Sequence, residues 1–264
     1  CSLRFEYCPT VRCLACGIVK PSSMSYCGMF FGCAQSVQNS FTCRVSGSTG
    51  SLLIVSGVVF TSIINFGRKY YFSYIPIHHL GDIEDKLVLE AGCGTSETLC
   101  KIAKKAKKVV GVDISRHAVN ISKKNFALNK IPKEKYRLMQ GDIQKMPYFK
   151  DNTFDITFNT GVVEHFDDDR INNKPVEEMI RVTKKHGSIV FLVPCTYSPY
   201  YIYYLFSRIP GLNKIYPWED HRFYTLDMLE KQLKAMNRKQ KIKYKIKLCW
   251  TSVLTYLVAE MEKL

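Results

Sequence analysis

The chain is poor in acid and in tryptophan, and it has no apolar run long enough to cross a bilayer. Asp and Glu number 23 against 38 Lys and Arg, a formal net charge of +15 over 264 residues, and there are 2 Trp. That balance excludes an acidic, self-solvating chain. It fits either a solvated basic exterior or attraction to an anionic partner, nucleic acid or membrane. The lysines cluster at 101–108, 123–135 and 231–247, where the pattern reads as helix faces and a closing strand. Leu52 to Phe66 is apolar but interrupted by Ser, Gly and Asn, and Arg68 and Lys69 follow it. It falls short of the roughly 20 residues that span a bilayer. It reads as a helix packed on a core or as a peripheral membrane contact. No cleavable signal with a charged start is evident.

A second tight cysteine pair is also lacking. Of 11 cysteines, seven lie in the first 43 residues. Cys13-x-x-Cys16 is followed by Cys27 and Cys33, which do not form another C-x-x-C. A zinc ribbon needs two such pairs, so these four are imperfect zinc ligands and no metal is expected. Residues 1–50 read as a Cys-rich segment of little order, residues 51–79 as an apolar connection, and 80–264 as one domain. That length buries one α/β core with a small appendage. Cys93, Cys100, Cys195 and Cys249 show no pairing pattern, which suits a reducing cytoplasm. Cys1 in place of Met predicts a fragment, a processed product or a lipid-modified terminus.

The most informative segment present is Lys86-Leu87-Val88-Leu89-Glu90-Ala91-Gly92-Cys93-Gly94-Thr95. An apolar run ends in an acid, then Gly-x-Gly, then a helical pattern with Leu99, Ile102, Ala103 and Ala106 at i, i+3, i+4, i+7. Glycines there let the backbone turn sharply against a ligand. A dinucleotide fingerprint would place a third glycine where this chain has Glu97, and a carboxylate at a helix N-terminus opposes a pyrophosphate. Glu90 suits a cationic ligand better.

Glu90-Ala91-Gly92-Cys93-Gly94-Thr95 resembles motif I of class I S-adenosylmethionine-dependent methyltransferases. Val109-Val110-Gly111-Val112-Asp113 reads as the next strand, Tyr136 to Gln140 leads into Gly141-Asp142-Ile143, and Phe154 to Asn159 opens into Thr160-Gly161-Val162-Val163-Glu164-His165-Phe166. Four ordered matches, spaced as in the family, carry the resemblance over roughly residues 80–264, nearest to the type 11 branch. It implies an α/β, Rossmann-like doubly wound sheet. Lys241 to Trp250 and Thr251 to Glu260 read as the closing antiparallel hairpin. The resemblance also implies S-adenosylmethionine as cofactor, held by Glu90, Gly92, Cys93, Gly94, Thr95, Asp113, Ile114, Asp142, Ile143, Asn159 and Thr160. Asp113 would accept from ribose hydroxyls, and Asp142 with its backbone neighbours would meet the adenine. Around this, Ser115 and Thr225 read as helix N-caps, Pro175 as the first turn of a helix, and Lys184-Lys185-His186-Gly187 as the turn before a buried strand.

His165 and Glu164 are the candidate catalytic pair, His165 as a general base; the alternative is that they close the cofactor pocket or cap a helix. Tyr197, Tyr200 and His221 are candidates to bind the acceptor, within the aromatic run Tyr197 to Phe206 and the Trp218 to Phe223 loop. Packing on a helix face, or a surface loop, explains them nearly as well. The expected function is methyl transfer to an O, N or C atom of a small-molecule or lipid-like acceptor. The alternatives are an RNA methyltransferase, favoured by the charge, and an S-adenosylmethionine-binding protein without turnover. A dehydrogenase is disfavoured by Glu97.

Overall fold

The computed structural model describes residues 74–166, 169–198, 201–202, 204–205, 208–210, 222–250 and 255–264. The expectations for Cys13, Cys16, Cys27 and Cys33, for the 52–66 run and for Tyr200, Trp218 and His221 lie outside these. Seven strands form one sheet: β1 (Leu87–Ala91), β2 (Lys108–Asp113), β3 (Tyr136–Gln140), β4 (Phe154–Thr160), β5 (Thr183–Pro194), β6 (Ile242–Trp250) and β7 (Thr255–Lys263). Their spatial order is β3-β2-β1-β4-β5-β7-β6. The first five run parallel, and β7 joins β5 and β6 antiparallel. The chain therefore winds outward in both directions from β1 and β4 and closes with the expected hairpin. Parallel strands covered on both faces read as near-continuous apolar runs, as Val88-Leu89 and Ile189 to Val193 do.

Helices α1 (Ile75–His79), α2 (Glu97–Ile102), α3 (Arg116–Leu128), α4 (Asp169–Val182) and α5 (Leu226–Gln240) cover the sheet. Their apolar residues separate into two clusters. Val176, Met179, Ile180, Leu229, Leu233 and Met236 from α4 and α5 pack on Leu89, Val112, Phe191 and Ala259. Leu99, Ile102 and Phe126 from α2 and α3 pack on Val88, Val109, Phe158 and Val190. Ile75 of α1 and Leu80 just after it join this second cluster, so the packed chain begins at least as early as Ile75. Ser115 caps α3 by accepting from Ala118 N at 3.3 Å, and Thr225 caps α5 by accepting from Met228 N at 3.2 Å.

Two local expectations change. Pro175 lies inside α4, not in its first turn. The helix starts earlier, on the polar stretch Asp169 to Lys174, which carries no apolar period to betray it. The turn at Lys184 to Gly187 is built into β5 as an irregularity, where Phe154 and Ile156 of β4 pair with Thr183 and Ser188. Its left-handed residue is His186 (φ 60°), not the glycine. Gly187 is needed for a different reason: a Cβ there would lie 2.7 Å from the Asp155 carbonyl oxygen.

Candidate active site

The carboxyl ends of β1, β2, β3 and β4 meet at one edge of the sheet, where the strand order reverses and ligands of such sheets bind. The loop after β1 is held there by several hydrogen bonds. Gly92 N and Cys93 N donate to the Val112 carbonyl at 2.8 and 3.0 Å. Gly94 N donates to the Asp113 carboxylate at 2.8 Å, and Ser115 N donates to its other oxygen at 2.8 Å. Asp113 thus sets the glycine loop and the start of α3 at once, while staying half-buried at the edge.

Two anchors come from inside α3. Ser122 Oγ donates to the Gly94 carbonyl at 2.6 Å and accepts from Ser96 Oγ at 2.9 Å. Asn125 Nδ2 donates to the Thr95 carbonyl at 2.8 Å. Sequence reasoning missed both. Their only signal was a polar side chain on the inward face of an amphipathic helix, with Ser122 fully buried.

The two glycines differ in what surrounds them. Gly92 has φ 79°, and a Cβ there would lie 2.5 Å from Val162 Cγ2 and 3.3 Å from Asn159 Nδ2, so it is pressed against the end of β4. Gly94 has φ 50° and no protein atom within 4 Å of its Cβ position. The open space beside the loop is at Gly94. The positive φ of Gly92 agrees with the expected glycine turn, and the contact that a side chain there would meet first is Val162.

Glu90 is 4 % exposed, and its Oε2 has no hydrogen-bond partner. Burial first, then the charge of Asp113, pushes its carboxyl well above the ordinary carboxylate range. Cys93 is buried beside it and carries its thiol into the core. Burial and then Glu90 push that thiol upward, so it is no nucleophile. Across β4, Asn159 is fully buried. Its Nδ2 donates to the Ala91 carbonyl, while its Oδ1 and Thr160 Oγ1 lack partners.

On the β3 side, Asp142 is exposed, and one carboxylate oxygen accepts from Gln144 N at 2.9 Å. Ile143 is buried in the core, so only its backbone is available to a ligand. Ile114 is 64 % exposed, an unusual place for an isoleucine directly after a buried strand.

Glu164 and His165 lie in a short 3-10 turn, Val163–His165, directly after β4, with Glu164 buried and His165 half-buried. The chain returns to this turn from the far side of the edge: Arg222 N donates to the Glu164 carbonyl at 2.9 Å. Tyr224 N donates to the Pro194 carbonyl at 2.9 Å, and Thr196 N to the Tyr224 carbonyl at 3.1 Å. Segment 222–224 is thus strapped across the ends of β4 and β5. Beside it, the ring centroid of Phe223 is 5.0 Å from that of Tyr201 and 5.1 Å from that of Tyr204. Tyr197 stays 59 % exposed. Among the described residues no group of three His, Cys, Asp or Glu could hold a metal, and no helix is long and apolar enough to cross a membrane.

Residues 89–191 match the type 11 family model described as a methyltransferase domain. Over 102 residues the chain is 29% identical to a sterol 4-C-methyltransferase of Caenorhabditis elegans, covering 39% of this chain and 29% of that one. A 60-residue stretch is 45% identical to a Methanocaldococcus jannaschii protein described as a protein N5-glutamine methyltransferase, covering 22% of this chain and 30% of that one. The chain thus spans less than a third of the length of these curated relatives. Among solved structures, magnesium protoporphyrin IX methyltransferase from Synechocystis PCC 6803 with bound SAH superimposes with a TM-score of 0.61 at 12% identity, covering 89% of this chain and 95% of that one. The YcgJ protein of Bacillus subtilis gives a TM-score of 0.57 at 16% identity, covering 74% and 98%. The fold is the class I methyltransferase fold.

Proposed function

We propose that this chain, whose residues 89–191 match the methyltransferase-domain family model, transfers a methyl group from S-adenosylmethionine to an O, N or C atom of a small-molecule or lipid-like acceptor. The observation that carries the reading is the buried Glu90, with one oxygen unpartnered, beside an open glycine loop and the Asp113 carboxylate. A carboxylate desolvated in this way gains most from a cationic ligand, and it disfavours a pyrophosphate. S-adenosylmethionine is cationic and carries no phosphate.

In this reading Gly94 and Thr95 give the cofactor room and backbone donors. Asp113 has lone pairs beyond its two amide bonds to accept ribose hydroxyls. Ile114 offers an apolar shelf for the adenine, and Asp142 and the Ile143 backbone meet the adenine edge. The Asn159 and Thr160 oxygens close the far side of the pocket. The bound cofactor supplies an electrophilic methyl group, and the protein's share is to orient the acceptor and exclude water. His165, at the end of the short turn that follows β4, would take the acceptor's proton where it has one to lose. Tyr197 and the 222–224 strap border the acceptor side.

The test uses cofactor labelled in its methyl group. Incubation with a lipid extract, a small-molecule extract, total RNA and total protein should move label into the lipid or small-molecule fraction. Label confined to RNA would replace this acceptor class with the second reading. The formal net charge of +15 is what favours that second reading.

A further inference from the structure

The described residues of the segment after β5 divide between an inward and an outward side. Tyr201 and Tyr204 turn inward, 5.8 Å apart between ring centroids, onto Phe223. The outward ones include three exposed aliphatic residues. Ile202 is 57 % exposed and Leu205 48 %, about one turn apart on helical backbone, and Ile209 in the turn that follows is 46 % exposed. Tyr197, at the start of the segment, is 59 % exposed. Among the described residues of this stretch four large apolar side chains are exposed, Tyr197, Ile202, Leu205 and Ile209, too concentrated to be scattered surface hydrophobics. Arg208 stands among them with its guanidinium 5.5 Å from the Tyr204 ring, at the surface end of the packed aromatics. The backbone bonds of Thr196, Arg222 and Tyr224 tie the segment to the crevice edge.

The geometry points to Tyr197, Ile202, Leu205 and Ile209 as a surface that seats on an anionic lipid bilayer, with the crevice beside it. The chemistry of the patch selects that occupant. Aliphatic side chains flanked by a tyrosine and an arginine match the acyl–headgroup boundary, where tyrosine rings and cationic heads are both favoured. The formal charge of +15 adds attraction to an anionic leaflet. This rests on the acceptor reading above: a lipid-like acceptor would pass from the bilayer to the crevice without crossing water.

The test is co-sedimentation of the full chain with vesicles of phosphatidylcholine, with and without phosphatidylserine. The parent chain should bind the phosphatidylserine vesicles more tightly, and salt should weaken that binding. Ile202→Ser, Leu205→Ser and Ile209→Ser should each weaken it about threefold, and the triple variant about thirtyfold, from the apolar area no longer buried. Cofactor affinity, measured alongside, should stay unchanged and shows that each variant is folded. A triple variant that binds vesicles like the parent overturns the proposal and moves the contact elsewhere on the chain. So does a parent that ignores vesicles, or one that instead self-associates through this patch. Failure here with methyl transfer to a dispersed lipid intact rejects the docking surface alone. Absence of methyl transfer to any lipid rejects the lipid-like acceptor on which this surface rests, and leaves the small-molecule half of the acceptor reading to the labelling test above.

Discussion

Glu90 sets the energetics of the site at the scale of one residue. Its carboxyl is held above the ordinary range by burial and by Asp113. The folded state therefore keeps its proton at a pH where the unfolded chain has lost it. Stability from this group is full below the unfolded value, about 4.3, and declines as pH rises toward the folded value. Glu90→Gln should melt with the parent near pH 4 and above it near pH 8, while binding S-adenosylmethionine more weakly. An equal offset at both pH values would place the shift elsewhere. The glycines separate binding from folding in the same way. Gly94→Ala strains only the backbone, at roughly 1–2 kcal/mol, and should lose cofactor affinity out of proportion to stability. Gly92→Ala must also displace Val162, so its larger loss should appear in the melting temperature. Calorimetry and thermal melts on both variants decide this.

Among the elements, α3 does more than cover the sheet. Its Ser122 and Asn125 hold the carbonyls of Gly94 and Thr95. Ser122→Ala leaves the half-buried Gly94 carbonyl without its donor, at about 1 kcal/mol of stability. It should also weaken cofactor binding, because the loop loses its anchor. A variant as stable and as tight-binding as the parent would make the bond incidental. The strands, the helix faces and the caps at Ser115 and Thr225 were legible because each is written locally, in apolar period or in one capping residue. Ser122 and Asn125 were not, because their partners are 28 and 30 positions away. The polar start of α4 was illegible for lack of period. The open space at Gly94, rather than Gly92, depends on where Val162 of a distant loop falls. Lys263 shows the same limit: from the last strand it donates to the Arg181 and Thr183 carbonyls at 3.1 and 2.9 Å, closing the end of α4.

At the scale of the whole molecule, the crevice is assembled from residues between Glu90 and Tyr224, on a sheet whose two faces have separate cores. Removal of residues 1–50 should therefore leave cofactor affinity within about twofold of the parent, a change under roughly 0.4 kcal/mol. Loss of binding together with stoichiometric zinc in the full chain would make the Cys-rich segment a structural module. The central claim is that this edge of the sheet holds S-adenosylmethionine, and calorimetric titration of the full chain with that cofactor and with NAD tests it most directly. S-adenosylmethionine should bind saturably, and Asp113→Ala should weaken it by about 1.5–3 kcal/mol for each ribose hydrogen bond lost. A folded Asp113→Ala variant of unchanged affinity, or NAD binding tighter than S-adenosylmethionine, would contradict the account.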